Sequence, residues 1–255
     1  MLVVTALACG NLEGVPPAAT EADDGGTAAR ADGATATTEG STPLPGSFCD
    51  QHKDALFCED FDRGSLDAFV EESRDVGQGT ASVKVEPGAG VSGTPGLRLV
   101  LTSTSNPNQN VILARDLVAD APGSRSYRLE VDVRFATHDV RYGVIAGFRF
   151  FDGQLPVVRG IGAVNPETFD VFMANPRQSQ RIATFTGSWH HLTFRMEKGT
   201  TAAHDLAMTI DDGAKLPGSV DLTGTRDLTL LVGNYWGSGL VQADYVLDNV
   251  VVYAR

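Results

Sequence analysis

Tyr127-Arg128-Leu129-Glu130-Val131-Asp132-Val133-Arg134-Phe135 alternates apolar and charged side chains along its whole length. In an extended chain successive side chains point to opposite faces. Tyr127, Leu129, Val131, Val133 and Phe135 therefore share one face, and Arg128, Glu130, Asp132 and Arg134 share the other. The second face must be wet, and a sheet with one wet face is antiparallel. The pattern recurs in Tyr142–Phe151 and in His190–Lys198, where Leu192, Phe194 and Met196 point inward. Further strands are expected at Leu97–Ser103, Val157–Val164, Phe169–Ala174, Arg181–Phe185, Asp205–Asp211, Leu228–Gly233 and Tyr245–Tyr253. Phe151-Asp152-Gly153 and Asp211-Asp212-Gly213 carry turn chemistry between them. Many strands with no crossover helices predict an all-β, two-sheet antiparallel sandwich.

The bulk properties agree. The 255 residues include 28 glycines and only 20% charged side chains, as a turn-rich β protein would. The apolar fraction of 42% supports one real core. No run reaches the ~18–20 apolar residues of a membrane helix. A net charge of -12 repels phosphate backbones, which sets nucleic acid aside as a partner and leaves neutral glycans, cations and basic surfaces open.

The start of the chain differs from the rest. Met1–Gly10, MLVVTALACG, resembles the tail of a bacterial lipoprotein signal peptide, with the apolar run Leu2–Leu7 followed by Ala8-Cys9. A small residue before the cysteine gives the signal peptidase access to the bond, and the Cys9 thiol is then acylated. Ala6 and Leu7 are swapped relative to the usual order. No basic stretch precedes the run, and a full apolar region needs ~7–15 residues, so the reading places the true start upstream. The alternative is a cytosolic protein with an incidental Cys9. Residues 10–47 are rich in Ala, Thr, Gly and Pro, with no aromatic side chain before Phe48. Such a composition cannot offset chain entropy and predicts a disordered tether. The organisation expected is a truncated signal peptide over 1–9, a linker over 10–47 and one sandwich domain over 48–255. Cys49 and Cys58 lie close enough to close a small disulfide loop, and that bond would imply an oxidising compartment.

Three stretches carry a family resemblance: Leu56-Phe57-Cys58-Glu59-Asp60-Phe61-Asp62, Gly187-Ser188-Trp189-His190-His191-Leu192-Thr193-Phe194, and Tyr245-Val246-Leu247-Asp248-Asn249-Val250-Val251-Val252-Tyr253. In order and spacing they resemble the concanavalin-A-like, laminin-G-like jelly rolls of secreted bacterial lipoproteins, across about Phe48–Arg255. That fold hosts lectins, adhesion modules, hydrolases and lyases, so the resemblance speaks to fold more than to function. It implies a structural Ca²⁺ held by a carboxylate of the last strand, Asp248, with Asp62 as the second ligand. The alternative reading makes Asp248 a structural residue that caps a β-bulge or bonds a turn. Laminarinase-like hydrolases of the fold use Glu-x-Asp-x-Glu; here Glu130 and Asp132 are followed by Arg134, which cannot protonate a leaving group. Lyases of the fold use Tyr and His with Arg and Gln. Tyr142, Arg149 and His191 supply such residue types, as common residues do by chance. His190 and His191 must point to opposite faces and cannot chelate together.

Candidate ligand-binding residues are Arg149 and Phe151, opposite an inward row of Val144, Ala146, Phe148 and Phe150, with Tyr235 and Trp236 as loop aromatics. Sugars stack C–H faces on such rings while arginine takes hydroxyls. The function expected is a non-catalytic binding or adhesion module for a glycan or cell-surface component. The alternatives are a polysaccharide-active hydrolase or lyase and a purely structural envelope protein. Membrane contact would come through the lipid anchor alone, and Gly10 after Cys9 directs the chain to the outer membrane. Expressed in a Gram-negative host from a start upstream of Met1, the chain should partition with the detergent phase, and Cys9→Ser should move it to the aqueous phase.

Overall fold

The computed structural model describes residues 46–255 apart from the segments 77–78, 104–108, 118–125, 140–142, 153–154, 165–167, 173–178, 182–186, 199–202, 222–227 and 238–240. Cys9 and the linker up to residue 45 lie outside the described residues. In chain order the elements are a one-turn helix α1 (Phe48–Gln51), then β1 (Phe57–Glu59), β2 (Val70–Asp75), β3 (Thr80–Glu86), β4 (Gly96–Ser103), β5 (Gln109–Asp116), β6 (Ser126–Asp139) and β7 (Gly143–Asp152). There follow β8 (Leu155–Val164), β9 (Thr168–Phe172), β10 (Ser179–Arg181), β11 (Trp189–Lys198), β12 (Ala203–Ile210), β13 (Leu216–Asp221), β14 (Leu228–Gly237) and β15 (Val241–Ala254). Among the described residues no helix is long and apolar enough to cross a membrane.

The strands form two antiparallel sheets. One runs β13-β12-β11-β6-β15-β4-β3 with β1 added against β15, and the other runs β10-β9-β8-β7-β14-β5-β2. The alternating strand that decided the fold is β6, and it does what its pattern requires. Leu129, Val131, Val133 and Phe135 are wholly buried between the sheets, where Phe194, Met208, Leu247 and Leu99 of the same sheet meet Phe148, Phe150, Leu230 and Val232 of the other. Burying a side chain of this size contributes about 1.5–3 kcal/mol. A continuous two-sided core of such residues is what holds the sandwich closed.

The central strand is β15, and its two edges are treated differently. Along one edge it pairs with β6. Along the other it pairs with β4 from Val241 to Leu247 and then with β1 from Val250 to Val252. The change of partner falls at Asp248 and Asn249, where the ladder to β6 also slips by a bulge. Asn249 takes the left-handed conformation (φ 51°) that the bulge needs and that Asn tolerates better than most residues.

The start of the domain is fastened to that same strand. Cys49 and Cys58 form a disulfide with a Cα–Cα distance of 5.6 Å, linking α1 to the middle of β1. Ser47 caps α1 by accepting from the Asp50 amide, the Cys49 amide donates to Asp60 Oδ2, and His52 Nδ1 bonds the Tyr253 hydroxyl. In the chain-entropy description a loop this short stabilises by about 2–3 kcal/mol. Cys49→Ser should lower the melting temperature by roughly 5–10 °C. Melting of the oxidised and reduced parent protein should reproduce that difference.

Candidate functional site

The two outer faces of the sandwich have opposite chemistry. On the eight-stranded sheet the outer face is charged and internally paired. Arg98 donates to both oxygens of Asp244 at 2.9 and 2.8 Å and to Glu86 at 3.0 Å. Arg128 lies 2.9 Å from Glu130 and 4.2 Å over the Tyr253 ring. Arg134 donates to the Ala89 carbonyl at 2.9 Å and covers Trp189 at 4.9 Å. The Glu130, Asp132 and Arg134 row is thus a wet face of acid and arginine contacts.

His190 and His191 do point to opposite faces. His190 is 3% exposed and its Nδ1 sits 2.8 Å from Asp211 Oδ2, whereas His191 faces outward with Nδ1 2.8 Å from Asp132 Oδ1. The hydrogen bond to Asp132 holds the His191 pKa above its ordinary value. Asn249 Nδ2 completes the group by donating to Asp132 Oδ2 at 2.7 Å. Because His191 stands on one outer face and Arg149 on that of the opposite sheet, the two cannot share a lyase-type site. Tyr142 lies outside the described residues.

Asp248 is fully buried where β15 changes partners. Its Oδ2 accepts from the Val91 amide at 2.8 Å and from the Thr94 hydroxyl at 3.2 Å, and its Oδ1 accepts from the Asn249 amide at 2.8 Å. The turn from Gly90 to Pro95 folds over it. A Cβ on Gly90 would come within 2.5 Å of both Asp248 Oδ2 and the Pro95 carbonyl, so only glycine fits there. Burial outweighs these donors and pushes the carboxyl pKa up to about 7, with the Asp132 charge across the strand adding to the rise. The Val91 and Asn249 amide hydrogens point at the two Asp248 oxygens, and the Thr94 hydroxyl stands between Oδ2 and the nearer Val91 carbonyl at 2.7 Å. Asp62 is not among the partners of Asp248; the Asp62 amide instead bonds Asp60 Oδ1. The hydrogen-bonded alternative for Asp248 fits the geometry.

The outer face of the seven-stranded sheet is apolar at its centre. Ile112, Ala114, Val144, Val158 and Leu231 form a second cluster with Tyr235 packed against it. Strict alternation placed Val144 in the main core with Ala146, Phe148 and Phe150, but a bulge between Val144 and Ala146 turns Val144 outward and leaves Ile145 facing in. Tyr235 and Trp236 belong to β14, not to a loop, and Tyr235 is the register partner of Val144. The side chains of Trp236 and Phe151 lie outside the described residues. Next to the apolar cluster, Gly147 and Gly160 oppose one another so closely that a Cβ on either would stand 2.4 or 2.3 Å from a backbone carbonyl of the facing strand. The sheet surface there is bare backbone.

The next row across this face carries three polar residues, Asp116, Thr229 and Arg149, which are successive register partners and end against Val158 of the apolar cluster. The Thr229 hydroxyl donates to Asp116 Oδ1 at 2.9 Å. Here the face opens into a cavity of about 350 Å³ lined by Asp67, Phe69, Val70, Ala114, Asp116 and Arg149, among others. Val70, 71% exposed, stands at its rim. The structure therefore puts Arg149 in a cleft with Asp67 and Asp116, which the sequence patterns did not single out. It separates Arg149 from Tyr235, whose partner Val144 is five residues away, about 16 Å along an extended strand. With Arg115 also in its lining, the arrangement can bond hydroxyls through two arginines and two carboxylates beside an apolar wall.

No protein-family model matches the sequence, and no curated protein matches it either. Solved structures do match. The endo-β-1,4-glucuronan lyase of the fungus Trichoderma reesei is 15% identical over 79% of this chain and 96% of its own, with a TM-score of 0.54. Cellulose induced protein Cip1 is 12% identical over 77% and 96%, with a TM-score of 0.52. Alginate lyase Aly36B is 15% identical over 77% and 96%, with a TM-score of 0.50. At these identities the likeness is one of fold.

Asp248 sets a pH dependence whose sign follows from its raised pKa. The folded state holds a proton that the unfolded chain releases near pH 4, so stability falls as pH rises from about 4 to about 7, by roughly 4 kcal/mol at most. His191, also raised by folding, loses its contribution in the same direction as pH rises above its ordinary value. Denaturant titrations across that window should show the fall, and Asp248→Asn should flatten it. Melting in excess chelator and in millimolar Ca²⁺ tests the ion: a rise of several degrees with Ca²⁺ would place it in the folded protein, and equal temperatures would leave Asp248 a hydrogen-bonded structural residue.

Proposed function

We propose that the chain is a carbohydrate-binding module and that it takes its ligand in the cleft of Arg149, Asp116 and Asp67. The observation that carries this reading is the cleft itself. A volume of about 350 Å³ falls in the range of small-ligand pockets, and its lining pairs a few convergent polar groups with the apolar Val70 and Ala114. Sugar rings present hydroxyls to such groups and C–H faces to such walls. Structures of the same fold whose names refer to glucuronan and alginate support saccharide as the ligand class. Binding without turnover is favoured because the outward carboxylates of β6 are engaged with arginine and histidine. The disulfide suits an exported protein, and export fits an envelope lipoprotein anchored through Cys9, displaying the domain at the outer membrane.

A panel of neutral and acidic oligosaccharides tests this by calorimetry alongside an assay of chain cleavage. At least one glycan should bind saturably without being cut. Arg149→Ala should weaken that binding about tenfold or more, the loss of a charge-assisted hydrogen bond set, at an unchanged melting temperature. Cleavage abolished by Arg149→Ala would identify a polysaccharide-active enzyme instead. Absence of saturable binding across the panel would leave a structural envelope protein.

A further inference from the structure

The outer face of the eight-stranded sheet is paired almost throughout, but one end of it departs from that rule. Arg195 on β11 and Arg128 on β6 are direct register partners, and Tyr253 on β15 is the partner of Arg128 on its other side. Like charges set opposite one another on neighbouring strands are destabilising. They surround a cavity of about 110 Å³ to which Ser126, Glu197 and Arg255 also contribute. A chain of net charge -12 thus brings three arginines into the lining of one small hollow, with Glu197 the one acidic side chain among the lining residues and Glu130 beside Arg128.

The two facing arginines are held differently. Arg128 is held by its ion pair with Glu130, whose Oε1 lies 2.9 Å from a buried Nε not aligned for a hydrogen bond, and by the Tyr253 ring beneath it. Tyr253 in turn is fixed through its hydroxyl by His52. Arg195 reaches only as far as Glu197, at 3.3 Å, and both side chains of that pair are close to half exposed. Exposed pairs of this kind contribute at most about 1 kcal/mol, so an incoming anion can take Arg195 from Glu197 at little cost. One rigid guanidinium and one available guanidinium, on strands spaced about 5 Å apart, straddle a planar two-oxygen group, and guanidinium forks match carboxylates in that way.

We propose that this hollow binds the carboxylate of an acidic saccharide, as a second site on the sheet opposite the Arg149 cleft. The saccharide part of the assignment rests on the function proposed above; the carboxylate part rests on the arginines alone.

The full chain should be titrated with a galacturonate trimer, with the matching neutral galactose trimer and with inorganic phosphate, at low and high salt. The uronate trimer should bind saturably, and its affinity should fall with salt as screened charges require. Arg195→Ala should weaken it about tenfold or more, Arg195→Lys should recover part of the loss, and Arg149→Ala should leave this site unchanged. Equal melting temperatures will show that the Arg195 variants, changed at an exposed position, remain folded. Uronate affinity unaltered by Arg195→Ala would overturn the proposal, as would loss of uronate binding through Arg149→Ala alone. Phosphate competing as well as the trimer, or an acidic peptide binding equally, would also overturn it by reducing the hollow to a general anion trap. Uronate binding that depends on Arg195, with no glycan responding to Arg149, would remove the cleft reading and keep this one.

Discussion

The fold turns on one backbone problem: β15 must lie in the middle of a sheet while changing partners halfway along one edge. Where β4 gives way to β1, the edge of β15 has no strand beside it. Unpaired buried backbone groups are costly, and at this gap the Asn249 amide is taken up by Asp248 Oδ1 while the turn from Gly90 to Pro95 folds over the same carboxylate. The Asp248 carboxylate gathers that turn through the Val91 amide and the Thr94 hydroxyl. It is an expensive solution, because the group is fully buried and faces Asp132. Asn249, with its left-handed backbone and its amide on Asp132, is the other half of the same junction. Strands from residue 57 to residue 254 meet within this one patch.

The two sheets then divide the surface between them. Because β6 and β15 are central in one sheet, the charged side of β6 becomes the middle of an outer face, where Arg128 pairs with Glu130 along the strand and Asp132 meets His191 across it. The other sheet has β14 and β7 at its centre, both apolar on their two sides, so its outer face carries a second cluster of buried side chains and opens only where Asp116, Thr229 and Arg149 break the apolar run. A groove for a ligand thus arises at the edge of a covered region, not at its middle.

What the sequence reveals follows the same division. Strands with one wet face, such as β6 and β11, declare themselves by alternation. Gln109–Asp116 does not, since Val111 and Leu113 point into the main core while Ile112 and Ala114 join the second cluster. Edge strands are also silent: Val70–Asp75 is mostly polar, and Leu216–Asp221 contains Pro217 and Gly218, which are tolerated only at a sheet margin. The bulges that turned Val144 outward and drew Tyr235 into β14 change face without leaving a signal in residue type. Arg149 was legible as an outward cation in an apolar strand. Asp67 and Asp116 were not, because their meeting with it depends on which strands become neighbours. The disulfide could be read from spacing, since a short loop constrains geometry whatever the tertiary fold.

The bond between Cys49 and Cys58 has a mechanical side. A force pulling on the chain ahead of Gly46 bypasses α1 through the sulfur atoms and enters β1 at its middle residue. From there it is shared at once by the β1–β15 ladder, the Asp60 bond to Cys49 and the contact of His52 with Tyr253. Since β15 lies at the centre of its sheet, the strain spreads to β6 and β4 instead of peeling a margin strand. A pull applied ahead of the disulfide is therefore met by the middle of a sheet and not by a strand that could be stripped away alone.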